Sequence, residues 1–155
     1  MIEIKRATHV DLDGLLPLVA AYRTFYKQVP ALRREREFLR GRLEGGTSTV
    51  YLVRDESDEV VGFVQIFQAY STVWLGPSLI LEDLFVVPSA RGMGVATRLL
   101  QRTSEFARDV GAVGMFFETA TDNVVARDVY ERTGWTRESH FLKYNAPPLD
   151  KDKCG

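Results

Sequence analysis

A chain of 155 residues with 45% hydrophobic content is long enough to bury a full core, and its net charge of −1 marks neither a polyanion nor a polycation. Its 20 Lys and Arg are interleaved with 21 Asp and Glu, as in Arg33-Arg34-Glu35-Arg36-Glu37, which predicts a solvated helix face and no nucleic-acid surface. No apolar run approaches bilayer length, no signal-like core opens the chain, and the lone Cys154 has no intrachain partner, so membrane spans, disulfides and cysteine metal sites are excluded and a reducing cytoplasm is expected.

Ile2-Glu3-Ile4-Lys5 alternates like a strand, and Thr8 to Asp11 carries a hydroxyl cap and a first-turn acid. Leu12, Leu15, Leu16, Val19, Tyr22 and Tyr26 recur at helical spacing, with Pro17 expected to bend this helix or set its start. A second helix spans about 33–43 and stops at Gly45-Gly46. Residues 49–54 and 60–70 read as strands joined by the turn Asp55 to Asp58, and 78–87 as a further strand, apolar but for Glu82 and Asp83. Val95, Leu99, Thr103, Phe106 and Val110 form a helical stripe that ends at Gly111. Residues 113–118 read as a strand, 124–133 as a helix and 137–144 as a closing strand. The order predicts one repeat-free α/β unit of mixed, three-layer type over residues 1–146, followed by a polar, disordered tail at 147–155.

The most informative stretch is Leu84-Phe85-Val86-Val87-Pro88-Ser89-Ala90-Arg91-Gly92-Met93-Gly94-Val95-Ala96-Thr97. An apolar strand ends at a proline, and an arginine and two glycines lead into an amphipathic helix. Glycines admit close approach of backbone N–H groups to oxygens, and a helix N-terminus is partially positive, so a phosphorylated ligand suits this place. A nucleotide-triphosphatase loop would need Gly-Lys-Ser/Thr, and Gly92-x-Gly94-x-x-Thr97 matches a dinucleotide fingerprint poorly. By itself the glycine pattern also fits an ordinary strand-to-helix turn.

With its flanks, Arg91-x-x-Gly94-x-Ala96 after Val-Val-Pro resembles the acetyl-CoA pyrophosphate loop of the GNAT superfamily of N-acetyltransferases. Asn123-Val-Val-Ala126-Arg-Asp-Val129-Tyr130-Glu-Arg-Thr-Gly134-Trp135 resembles that superfamily's second signature. The resemblance extends from Ile2 to about Tyr144 and implies a central mixed, mostly antiparallel sheet flanked by helices. It implies that backbone groups of Leu84, Phe85 and Val86 run beside the pantetheine arm. Arg91, Gly92, Met93, Gly94, Val95, Ala96 and Thr97 would wrap the pyrophosphate, with Asn123 and Ala126 on the other side of the arm. Acetyl-CoA is then the co-substrate, with no metal required. His9 and His140 have no ligand-spaced acids or cysteines.

Acetyl transfer to an amine sets its own demands. An amine titrating near 10.4 is neutral in only about one molecule in a few thousand at pH 7, a penalty of roughly 4–5 kcal/mol. A base, an oxyanion donor and a proton for the departing thiolate are each useful. The resemblance puts the Tyr130 hydroxyl near the CoA sulfur as the acid; its residue type alone fits a core tyrosine equally. Glu82 and Asp83 must each be paired, protonated or facing a cavity. Strand alternation lets one of them enter the site, unless a bulge relaxes it. The string Leu81-Glu82-Asp83-Leu84-Phe85-Val86 resembles the corresponding strand of spermidine/spermine N-acetyltransferases, which implies amine contacts from both acids with Glu82 as the base. Salt bridging is the alternative that the residues alone leave open.

The same branch draws part of its amine pocket from the first helix, which here gives Tyr22, Arg23 and Tyr26. The polyamine enzymes carry an acid where this chain has Arg23. A cation there would repel a polyamine or pair with a substrate carboxylate, unless it faces solvent. Glu118 either adds an acid to the pocket or lies at the surface. The expected function is acetyl transfer to a small-molecule amine, with a protein or peptide lysine acetyltransferase, or a non-catalytic acyl-CoA sensor, as alternatives. A homodimer is the family-level expectation, with Phe67, Tyr70 and Trp74 as interface candidates or core residues.

Overall fold

The computed structural model describes residues 2–147, so Cys154 and the expected tail from residue 148 onward lie outside the described residues. Strand β1 (Glu3–Arg6) leads through a 3-10 turn at His9–Asp11 into helix α1 (Leu12–Phe25). The buried Asp11 carboxylate secures this entry, accepting from the Thr8 N–H and pairing with Lys5 and Arg54. Helix α1 already begins at Leu12, so Pro17 does not set its start. Helix α2 (Leu32–Gly45) ends at Gly46 in the left-handed conformation, φ 62°, as the Gly-Gly pair predicts. Strands β2 (Thr49–Arg54), β3 (Val60–Ser71) and β4 (Gly76–Val86) follow, then helix α3 (Val95–Asp109), strand β5 (Gly114–Phe116) and helix α4 (Val124–Arg132).

The five strands form one mixed sheet in the order β1-β2-β3-β4-β5, antiparallel except for the parallel β4–β5 pair. Strand alternation divides the core between the two faces. Val50 and Leu52 of β2 pack with Leu12, Leu15 and Leu18 of α1 and Leu39 of α2, whereas Tyr51 and Val53 pack with Leu99 and Leu100 of α3. Glu35 departs from the predicted solvated face: it is 4% exposed, because the turn that buries Leu39 also carries Glu35 inward toward α1.

One irregularity in β4 matters for the site. Gln65 pairs with Asp83 and Ile66 with Leu81, so Glu82 has no opposite residue and forms a bulge. The bulge inverts the alternation. Leu79 and Leu81 before it face the α3 side, whereas Phe85 after it faces α1 and α2.

The closing strand expected at residues 137–144 is not formed, and among the described residues no strand follows α4. Alternation alone does not make a strand, since its N–H and C=O groups need a neighbouring edge. Phe141, Leu142 and Tyr144 in this segment are exposed.

Candidate active site

Pairing between β4 and β5 stops at Ile80↔Phe116. Beyond it β4 runs on to Val86 while the other chain turns away toward α4, and the strands part into a cleft. A cavity of about 580 Å³ fills it, bounded by Leu84–Val86, the Arg91–Thr97 loop, Phe117–Thr119 and α4. A second cavity of about 680 Å³ adjoins it toward α1 and shares Tyr22, Tyr26, Glu82 and Glu118 with the first.

The first cavity has an anion-ready end. Gly92 and Gly94 have φ of 76° and 80°, a conformation that other residues adopt at a cost. A Cβ on either would meet no atom within 4 Å, so the space above the loop is open to a ligand. Helix α3 starts at Val95 with no side-chain cap, leaving its first-turn N–H groups to face what enters. Gly62 lets the helix start this close to the sheet: a Cβ there would stand 2.9 Å from Val95 Cγ1. Arg91 is anchored by its Nε donating to the Val86 carbonyl at 3.0 Å, with its guanidinium carbon 5.7 Å from the Phe85 ring centre. Open space, uncapped N–H groups and one arginine form the donor set that a pyrophosphate requires, so the residues present fit acetyl-CoA. Met93 alone in this loop does not line the cleft, and its side chain is exposed.

Across the cleft, Tyr130 is buried with its ring centre 3.7 Å from that of Phe117. Burial, with the nearby Tyr26 phenol, pushes its own phenol up to about 12, so it holds its proton at neutral pH. Asn123 caps α4, its Oδ1 accepting from the Ala126 N–H at 3.3 Å, and both residues line the same cavity.

The bulge brings both acids to the cavities. Glu82 is exposed and lines both; Asp83 is half-buried and lines the second. Burial pushes the Asp83 carboxyl up to about 6, opposed by the hydrogen bond from Gln65 and reinforced by Glu82. The Tyr22 hydroxyl reaches the Glu82 carbonyl at 3.4 Å, and burial and the Asp83 charge push its phenol above the usual range.

Two charges prove to be engaged. Arg23 lines the second cavity, but its Nη1 donates to Glu35 Oε1 at 2.5 Å and to the Val29 carbonyl at 3.0 Å. Its charge is therefore neutralised from α2. Glu118 pairs with Lys143, so the acids left facing the pocket are Glu82 and Asp83.

The structure brings the remaining site residues expected from sequence, including Tyr26, Val95, Ala96 and Thr97, to this one connected space. Sequence reasoning missed Gln65, Phe117 and Lys143. Gln65 carried a signal, a polar residue inside an apolar strand; Lys143 carried none.

A model of the acetyltransferase (GNAT) family matches residues 15–135. The chain is 36% identical over 143 residues to an uncharacterised N-acetyltransferase of Bacillus subtilis (strain 168), YhfO, covering 92% of this chain and 95% of that protein. It is 25% identical over 142 residues to the thialysine N-epsilon-acetyltransferase of Bos taurus, covering 86% and 83%. The crystal structure of a probable acetyltransferase shares 38% identity with a TM-score of 0.90, covering 96% of this chain and 99% of that one.

Proposed function

Because the chain belongs to the GNAT family of acetyltransferases, we propose that it carries the acetyl group of acetyl-CoA to the primary amine of a small molecule, a diamine or an amino-acid-like amine, in one ternary complex. The observation that carries this reading is the pair of joined cavities, one ending in the uncapped start of α3 and the other lined by two unneutralised acids. Glu82 belongs to both. With Arg23 neutralised by Glu35, the second cavity favours a cation over an anion. The thialysine-acetylating relative supports an amino-acid-like acceptor.

The acceptor arrives as an ammonium. Sequence resemblance gave Glu82 the role of base, but a carboxylate titrating near the working pH suits that role better, which supports Asp83 taking the proton while Glu82 attracts the cation. The freed nitrogen lone pair forms the C–N bond at the thioester carbonyl and the C–S bond breaks. Tyr130 delivers its proton to the departing sulfur, the second nitrogen proton passes by way of water to the Tyr130 phenolate, and Asp83 releases its proton to solvent. Backbone N–H groups at the β4 edge are the candidates for polarising the acetyl oxygen.

The test is thiol release from acetyl-CoA with lysine and its thioether analogue, diamino acids, polyamines and a basic peptide, on wild type and Tyr130→Phe. Turnover on one small-amine class is expected, with kcat falling about 100-fold or more in the variant while acetyl-CoA affinity holds. Preference for the peptide would replace the small-molecule reading, and acetyl-CoA binding without turnover on any amine would refute catalysis.

The same reading includes a homodimer. Exposed Tyr70 and Trp74, and an alternating segment at 137–144 with no strand partner among the described residues, support pairing with a second copy. Sedimentation at monomer mass across micromolar concentrations would overturn it.

A further inference from the structure

We infer that Gln65 is a positioning residue of the acceptor pocket: anchored by Ser48, its side-chain amide holds Asp83 so that the carboxylate's Oδ1 is the oxygen more open to a proton. This rests on the reading of the second cavity as the amine site.

Gln65 is 4% exposed in the middle of β3, between the fully buried Val64 and Ile66. A polar side chain there is costly unless its amide is satisfied. Its Nε2 donates to Asp83 Oδ2 at 2.6 Å, and its Oε1 accepts from the Ser48 hydroxyl at 2.8 Å. The polarity of this chain is forced from the Asp83 end. An ionised carboxylate only accepts, so the amide must turn its NH2 toward Asp83 and its oxygen toward Ser48. With the Gln65 N–H donor against Oδ2, Oδ1 is the more open of the two oxygens to an incoming proton.

The register makes the contact. The Glu82 bulge sets Asp83 opposite Gln65; without it, the cross-strand neighbour of Gln65 would be Glu82. The other charged or titratable groups that line the second cavity with Asp83 come, among the described residues, from β4 (Glu82), α1 (Tyr22, Arg23 and Tyr26) and the segments after β5 (Glu118 and Lys143). Arg23 is committed to Glu35, and Lys143 to Glu118. Among the described residues no cation from these elements neutralises Asp83, and the Tyr22 hydroxyl proton goes to the Glu82 carbonyl, so the amide of Gln65 is the principal support of its ionised form.

A merely structural glutamine would affect folding but not titration. Two readouts separate these roles: the Asp83 carboxyl titration followed by 13C NMR, which needs no turnover, and the acidic limb of kcat/KM against pH. Gln65→Leu removes the donor at similar size. It is expected to move the Asp83 midpoint upward by about one pH unit and the acidic limb with it. KM for acetyl-CoA should hold while kcat at pH 6 falls several-fold. Ser48→Ala, which frees the amide to turn, should shift the midpoint in the same direction by less, and it carries the test if Gln65→Leu does not fold. An unmoved Asp83 midpoint in the folded variants overturns the inference. A shifted midpoint in a protein that acetylates no amine sustains the Gln65–Asp83 coupling and overturns the amine-site reading instead.

Discussion

Asp83→Asn should make the protein more stable at pH 7.5 while abolishing most of its activity. Burial holds the Asp83 carboxyl near 6 against an unfolded value of 3.8, so between these the folded state keeps a proton that the unfolded state has lost. Stability from this group therefore falls as pH rises through the window from about 4 to 6, and the ionised carboxylate is a liability above it. The full span of about two pH units corresponds to at most about 3 kcal/mol. Between pH 5 and pH 7.5 alone, wild type should lose about 1.4 kcal/mol that the variant does not. Asparagine keeps the size and, through Oδ1, still accepts from Gln65. Thermal unfolding of both proteins at pH 5 and pH 7.5 reads the effect: the variant's advantage in Tm should grow by roughly 3–6 °C at the higher pH. An advantage equal at both pH values would refute the reasoning, because it would mean that Asp83 is ionised throughout.

Gly94→Ala should weaken acetyl-CoA binding and cost about 1–2 kcal/mol, because its φ of 80° strains any residue with a Cβ; calorimetric titration and urea melts read the two effects, and unchanged affinity would remove the loop from the cofactor site. Gly62→Val should raise KM for acetyl-CoA more than for the amine, since its Cβ would stand 2.9 Å from Val95 and press on the start of α3. Glu35→Ala should cost about 3 kcal/mol in urea unfolding by stranding Arg23, and should raise KM for the cationic acceptor by returning an unpaired charge to its pocket. An unchanged amine KM in the folded variant would show that Arg23 does not face the acceptor.

What could be read early was local. Pro88, the two glycines and the stripe from Val95 to Thr103 lie within a few residues of one another, and the rule that each obeys concerns its own backbone: a missing N–H, a positive φ, a 3.6-residue period. The second signature is equally compact, with Asn123 capping the helix that carries Tyr130. Such signals survive without knowledge of what lies opposite. They were enough to point to the space between a strand end and two helices, and to the loop proposed to hold the anion.

The chemistry of the proposed acceptor pocket was decided by partners distant in the chain. Two adjacent acids in a strand are ambiguous until pairing with β3 shows that Glu82 is bulged and Asp83 stands against Gln65. Arg23 could be a selective charge or a solvent-facing arginine until α2 folded back and set Glu35 against it. Glu118 found Lys143 on a segment whose alternation suggested a strand that no edge received. By itself the sequence indicated the helices, most of the strands, and the loop and acid proposed for the cofactor site, because helix and turn formation depend on near neighbours. Only the tertiary structure decided which charges remain free to meet a substrate, because neutralisation and burial depend on what another part of the chain brings within hydrogen-bonding distance.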